Sequence, residues 1–273
     1  MNAMLGILFT NRYWMHKLLF FLFCFCLNAQ FLSGQTKQFN QFSNELQFSK
    51  SLKNKWETEF DIGHLFSSTP PSSNNMFASN SQLYFRGWFH YHISSRWKLS
   101  YFYSFYFNHK IPEIDQEDYH EIRSAFQGIY FIHKLGYNLQ TRFRVEDRHI
   151  QNSSKTYEAY YRLRAQLKYV QPFNSKIFKK GVYYGIASEE LMCKTQALIT
   201  GAEFFDRNSI AIGLGYCVSA NTQVEVNYMN QYLPRTKGNQ VYNGLQLNLK
   251  FNGIFEKLKE HIRETQAIQS IDK

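Results

Sequence analysis

The chain has 273 residues and a formal net charge of +10, and its aromatic share of 18% includes 19 Tyr and 26 Phe. The length allows one large all-β domain or two small ones, no apolar run beyond the N-terminus is long enough for a membrane helix, and the aromatic excess suits girdles at two membrane interfaces. The basic balance points to anionic lipid headgroups or small anionic solutes, while the lack of any recognition motif excludes nucleic acid as a partner.

Arg12, His16 and Lys17 precede the apolar run Leu18 to Leu27. This is the layout of an export signal, with cleavage after Ala29 or as late as Gly34. A retained anchor and a lipoprotein, through Cys24 or Cys26, are the alternatives. Residues 30–41 are polar and read as an N-terminal lead. Export leaves Cys193 and Cys217, as a bridge or as free thiols, and their spacing matches no metal motif.

From Phe42 onward the sequence alternates at period two, the signature of strands with unlike faces. Strands are predicted at 42–49, 56–66, 81–91, 97–108, 120–131, 137–148, 157–169, 182–190, 207–217, 222–232 and 240–251. Trp56, Phe60, Ile62 and Phe66 oppose Glu57, Glu59 and Asp61. Trp97, Leu99, Tyr101, Tyr103, Phe105 and Phe107 oppose Lys98, Ser100, Ser104 and Asn108. Glu121, Arg123 and Gln127 form the polar face of the fifth strand. The centre is the pair 137–148 and 157–169. One of its faces carries Leu139, Phe143, Val145, Tyr161, Leu163 and Leu167; the other carries Arg142, Arg144, Glu146, Arg148, Glu158, Arg162 and Arg164.

Strands of about ten residues have the length to cross a bilayer at a tilt. Short connections near 52, 94, 133, 172 and 220 alternate with longer ones at 67–80, 109–119, 149–156, 191–206 and 233–239, as periplasmic turns alternate with extracellular loops. The fold class is therefore all-β: an antiparallel up-and-down transmembrane barrel over 42–251. An even strand number is the rule for such barrels, so twelve strands are expected, with ten as the alternative and residues 30–40 or 191–206 as the place to look. Residues 252–273 change period, with Phe255, Leu258 and Ile262 suggesting an amphipathic helical tail. A secreted β-sandwich with the apolar face buried is the competing architecture.

The run R-F-R-V-E-D-R at 142–148, Y-R-L-R-A-Q at 161–166, E-I-R at 121–123, G-L-G-Y at 213–216 and N-Y-M-N-Q at 227–231, behind an export signal and an early Trp56, resemble an uncharacterised family of Gram-negative outer-membrane β-barrels. The resemblance covers roughly 40–251. It implies a barrel fold, a location in the bacterial outer membrane, and membrane lipids and the outer-membrane assembly machinery as partners. It implies no activity.

The candidate functional set is the lumen charge network: Glu57, Glu59, Asp61, Glu121, Arg123, Arg142, Arg144, Glu146, Arg148, Glu158, Arg162 and Arg164. Arg86, Lys98, Lys168, Arg207 and Lys250 extend it on the basic side, and Glu189 and Glu225 on the acidic side. Unpaired arginine rows would make a narrow, anion-favouring porin or channel. Paired charges would fill the lumen, leaving a structural or adhesion-type barrel that acts through its loops. A rim hydrolase built from His120, Asp147, His149, Ser153 or Ser154 is the third role, but no spacing marks a nucleophile with its base. No enzyme activity, cofactor or metal is expected.

Overall fold

Large apolar side chains at every second position give each strand two unlike faces, and the fold turns the apolar face outward. The structure, a computed structural model, describes residues 36–253 apart from 115, 135, 136 and 237. The predicted export signal and helical tail lie outside the described residues. Within them are β1 (Thr36–Ser51), β2 (Trp56–Ser67), β3 (Ser79–His92), β4 (Trp97–Lys110), β5 (Glu117–His133), β6 (Asn138–Gln151), β7 (Tyr157–Pro172), β8 (Tyr183–Lys194), β9 (Phe205–Cys217), β10 (Thr222–Leu233) and β11 (Asn239–Asn252). Strands adjacent in sequence pair in order, and the sheet closes on itself through β1 and β11. A closed barrel replaces the alternative of a two-sheet sandwich. Among the described residues no helix is long and apolar enough to cross a membrane.

β4 shows the sidedness directly. Leu99, Tyr103, Phe105 and Phe107 are exposed, while Ser100, Phe102, Ser104, Tyr106 and Asn108 between them are buried. On the outer wall Phe126 is 69% exposed and Phe143 64%. An apolar exterior of this extent is the mark of a surface that meets a membrane or another protein. Near the short-turn end, outward aromatic pairs succeed one another around the wall. Trp56 meets Tyr91 at 4.8 Å, Trp97 meets Tyr130 at 4.9 Å, Tyr137 meets Tyr169 at 5.4 Å, and Tyr183 meets Tyr216 at 4.6 Å between ring centroids. Such a belt is the arrangement of an interfacial girdle, and a closed barrel of this kind fits an outer-membrane protein.

The strand number is eleven among the described residues, not the expected twelve or ten. The reason lies in the closing seam. All the sequential pairings are antiparallel, so an odd number leaves β11 running in the direction of β1. The contacts agree. Phe39 stacks on Tyr242 at 5.2 Å and Phe48 on Phe251 at 5.2 Å, while Ser49 Oγ donates to Asn252 Oδ1 at 2.7 Å with the same sequence offset of 203. A constant offset along two strands is a parallel register. No extra strand fills 191–206; β8 and β9 extend into it and leave a connection at 195–204. The expected lead is also shorter, because β1 starts at Thr36. The connection near 172 is longer than a tight turn and spans 173–182.

Two cross-strand pairs bring large rings into the lumen. Tyr84 sits opposite Gly63, and Tyr184 opposite Gly215. A Cβ at either glycine would overlap the facing tyrosine ring. Glycine is therefore required there by close approach.

Candidate functional site

With the apolar positions turned outward, alternation sends the charged positions of β1 to β11 into the lumen, where water is scarce and each charge needs a partner. The centre of the network is Glu146 on β6, 1% exposed. Its oxygens accept from Arg144 at 3.2 Å, Arg162 at 2.6 Å and Arg164 at 2.8 Å. Arg164 continues to Glu190 at 2.6 Å, and Arg142 reaches the same carboxylate at 2.6 Å. Beside them Glu121 on β5 binds Arg123 at 2.5 Å and Arg148 at 2.5 Å. The planar guanidinium suits this work, since its donors meet two carboxylates at once.

Aromatic rings fill the space that the ion pairs leave. The Arg123 guanidinium lies 3.6 Å from the Tyr106 ring centroid and that of Arg148 lies 4.9 Å from Tyr160. Arg144 and Arg86 both lie over Trp88, at 5.2 Å and 5.3 Å. Arg86 in turn holds Asp61 at 2.7 Å and Glu45 at 2.8 Å, Trp88 Nε1 donates to Asp61 at 2.8 Å, and the Tyr84 hydroxyl donates to Glu45. Trp88, Phe102, Tyr106, Arg144, Arg148 and Arg162 are all buried. The middle of the lumen is packed.

The end with connections 68–78, 111–116, 152–156, 195–204 and 234–238 is capped. Ile111 and Ile114 from one connection and Ala197 and Ile199 from another pack on Tyr119, Ile150 and Tyr160. Glu113 pins this cap, accepting from Arg207 at 2.6 Å and Arg235 at 3.3 Å. Asp206 joins the cap to the network, meeting Arg235 at 2.9 Å and Arg162 at 3.5 Å. At the opposite mouth Lys250 meets Glu225 at 2.6 Å, and the Tyr184 hydroxyl donates to the same carboxylate at 3.0 Å.

The family model described as protein of unknown function (DUF2490) matches residues 40–242. The chain belongs to this family. The matched span runs from β1 into β11 and contains the central charge network. No curated protein matches the chain.

Most of the predicted charge set meets in this one network of the DUF2490 barrel: Glu121, Arg123, Arg142, Arg144, Glu146, Arg148, Arg162 and Arg164 directly, and Asp61 through Arg86 and Trp88. Glu57 and Glu59 stand apart at the short-turn mouth, with His90 and His92. Glu158 leaves the network altogether. It accepts the backbone N–H of Leu198 at 2.6 Å and Ile199 at 3.0 Å and so shapes the cap. Glu189 points outward and accepts from Asn208 at 3.0 Å; its neighbour Glu190 is the lumen carboxylate.

Sequence reading overlooked Glu45, Glu113, Glu190, Asp206 and Arg235. Glu45 shares the inward parity of β1 and could have been found by alternation. Glu113 and Arg235 lie in connections, where no periodicity points. At the rim His149 meets Asp147 at 3.1 Å on the outer wall, and His120 packs edge-on against Phe107 at 5.3 Å. Cys193 and Cys217 are free thiols on opposite faces of the wall.

Proposed function

We propose that the chain is an outer-membrane β-barrel whose lumen is held shut by its own ion pairs, and that it serves as a membrane-embedded scaffold acting through the end that bears the long connections. One observation carries this reading: Glu146, at mid-lumen, is almost wholly inaccessible and is bracketed by Arg144, Arg162 and Arg164. A conducting pore would keep water at that depth, whereas small barrels are commonly filled by their side chains. The apolar exterior and the aromatic belt support the membrane location.

A narrow anion-favouring channel is the second reading. It draws on the basic side chains Lys98 and Lys168 that face the lumen toward the short-turn mouth. Planar-bilayer recording separates the two, using protein shown to be folded by its heat-dependent gel shift. The closed reading expects no steady conductance from the natural chain and an appearance of conductance when Glu146→Ala and Arg162→Ala are combined. A steady, anion-favouring conductance from the folded natural chain would overturn it in favour of the channel.

A further inference from the structure

At the short-turn mouth the inward faces of β2 and β3 bring two carboxylates and two imidazoles together. Glu57 is paired directly opposite His90, and Glu59 and His92 are their neighbours on the same face. One donor atom each from Glu57, Glu59 and His90 lies within 4.8 Å of the others. His92 Nε2 lies 3.0 Å from Glu57 Oε2. The cluster is distinct from the central network, whose carboxylates are engaged by guanidinium groups.

His90 is the decisive member. It is 2% exposed, yet its Nε2 has no hydrogen-bond partner and stands 3.6 Å from Glu59 Oε2, pointing into the cluster. Its other nitrogen, Nδ1, lies 2.8 Å from Ser100 Oγ. With Nδ1 donating to that hydroxyl, Nε2 carries the lone pair, the tautomer that metal-ligating histidines adopt when a second group orients them. Trp88 stacks on the imidazole at 5.5 Å and fixes the plane of the ring. In that tautomer the buried lone pair faces two carboxylates, an arrangement that a cation between them would relieve.

We propose that Glu57, Glu59 and His90, with His92 as the fourth donor, form a binding site for one divalent transition-metal cation of the zinc type. Mixed imidazole and carboxylate donors select such ions over magnesium or calcium, which prefer oxygen ligands alone. The donor atoms of Glu57, Glu59 and His90 lie within 4.8 Å of one another, so a closed tetrahedral shell would draw them together, and the half-exposed His92 has the freedom to complete it. Lys98, paired opposite His92, is the cationic competitor at this mouth. The metal would also tie β2 to β3 where they meet the 52–55 turn.

The test uses untagged full-length chain, folded in detergent and stripped with a chelator. Titration with Co²⁺ followed by visible absorption, and with Zn²⁺ by calorimetry, should give one saturable site per chain, with Co²⁺ showing the strong bands of a low-coordinate site and Zn²⁺ displacing it. His90→Gln and Glu57→Gln should each abolish the site. Ser100→Ala should weaken it by about 10-fold, the usual effect of losing an orienting partner. His149→Gln, on the outer wall, should leave it unchanged. Each variant is first shown to be folded by its heat-dependent gel shift, and Ser100→Ala keeps the test open should the ligand variants fail to fold. No saturable uptake by the folded natural chain, or uptake insensitive to all three lumen variants, would overturn the proposal and leave His90 and Glu59 as a simple ion pair.

Discussion

Glu146 Oε2 lies 2.6 Å from Arg162 Nη2 across β6 and β7, at a depth where neither group has water to turn to. Charges taken out of water are stabilised only by one another, and removing one partner strands the rest. Glu146→Gln keeps the volume and removes the charge that three arginines share. It should destabilise the folded barrel by about 3–5 kcal/mol, the cost of leaving buried charges unpaired. Urea unfolding in lipid vesicles, followed by tryptophan fluorescence, checks this. A variant as stable as the natural chain would mean that water reaches the arginines.

The Gly63 and Tyr84 pair makes a coupling test. A side chain at Gly63 collides with the Tyr84 ring, so Gly63→Val should cost about 1–3 kcal/mol through overpacking. Tyr84→Ala removes the obstacle. The double variant should therefore be less destabilised than the two single changes added together, as expected for residues in contact. Additive effects would show that the ring does not lie on the glycine.

The parallel seam is open to cross-linking. In a background with all four cysteines replaced (Cys24→Ser, Cys26→Ser, Cys193→Ser and Cys217→Ser), the pair Ser49→Cys and Asn252→Cys should form a disulfide in folded protein under mild oxidation. The partners are adjacent because β1 and β11 run in the same direction with a fixed offset. A barrel closed by an antiparallel twelfth strand would separate them, and no cross-link would form.

The cap should respond to acid but not to mild acidity. Burial alone would raise the Glu113 carboxyl, but Arg207 and Arg235 outweigh it and hold the group below its ordinary value of 4.5. A lowered carboxylate contributes fully above that ordinary value and loses its contribution as pH falls through the lowered one. A nitroxide attached through Gln116→Cys in the same cysteine-free background should stay equally immobile from neutrality down to pH 4.5 and loosen only below it. With Glu113→Gln the label should be mobile throughout. Loosening already near neutrality would show that the ion pairs do not pin the cap.

How much of this was legible follows from which residues obey a period. On β6 and β7 alternation alone placed Arg142, Arg144, Glu146, Arg148, Arg162 and Arg164 on one face, because strand side chains must alternate. On β8 the adjacent Glu189 and Glu190 have the same chemistry, and only the register against β7, with Gln166 opposite Glu190, decides which faces inward. Glu158 has the right parity but lies at the strand end, where the 195–204 connection claims it.

By itself the sequence determined the all-β character, the two unlike faces and the arginine-rich strand pair, since these follow from local alternation and residue chemistry. Tertiary structure alone decided that the apolar face is the outer wall, that eleven strands close through a parallel seam, and that the lumen arginines are paired rather than free. It alone also brought Glu113 from one connection to Arg235 of another. Each of these depends on which strands become neighbours in space, and contacts between residues far apart in the chain leave no periodic mark in it.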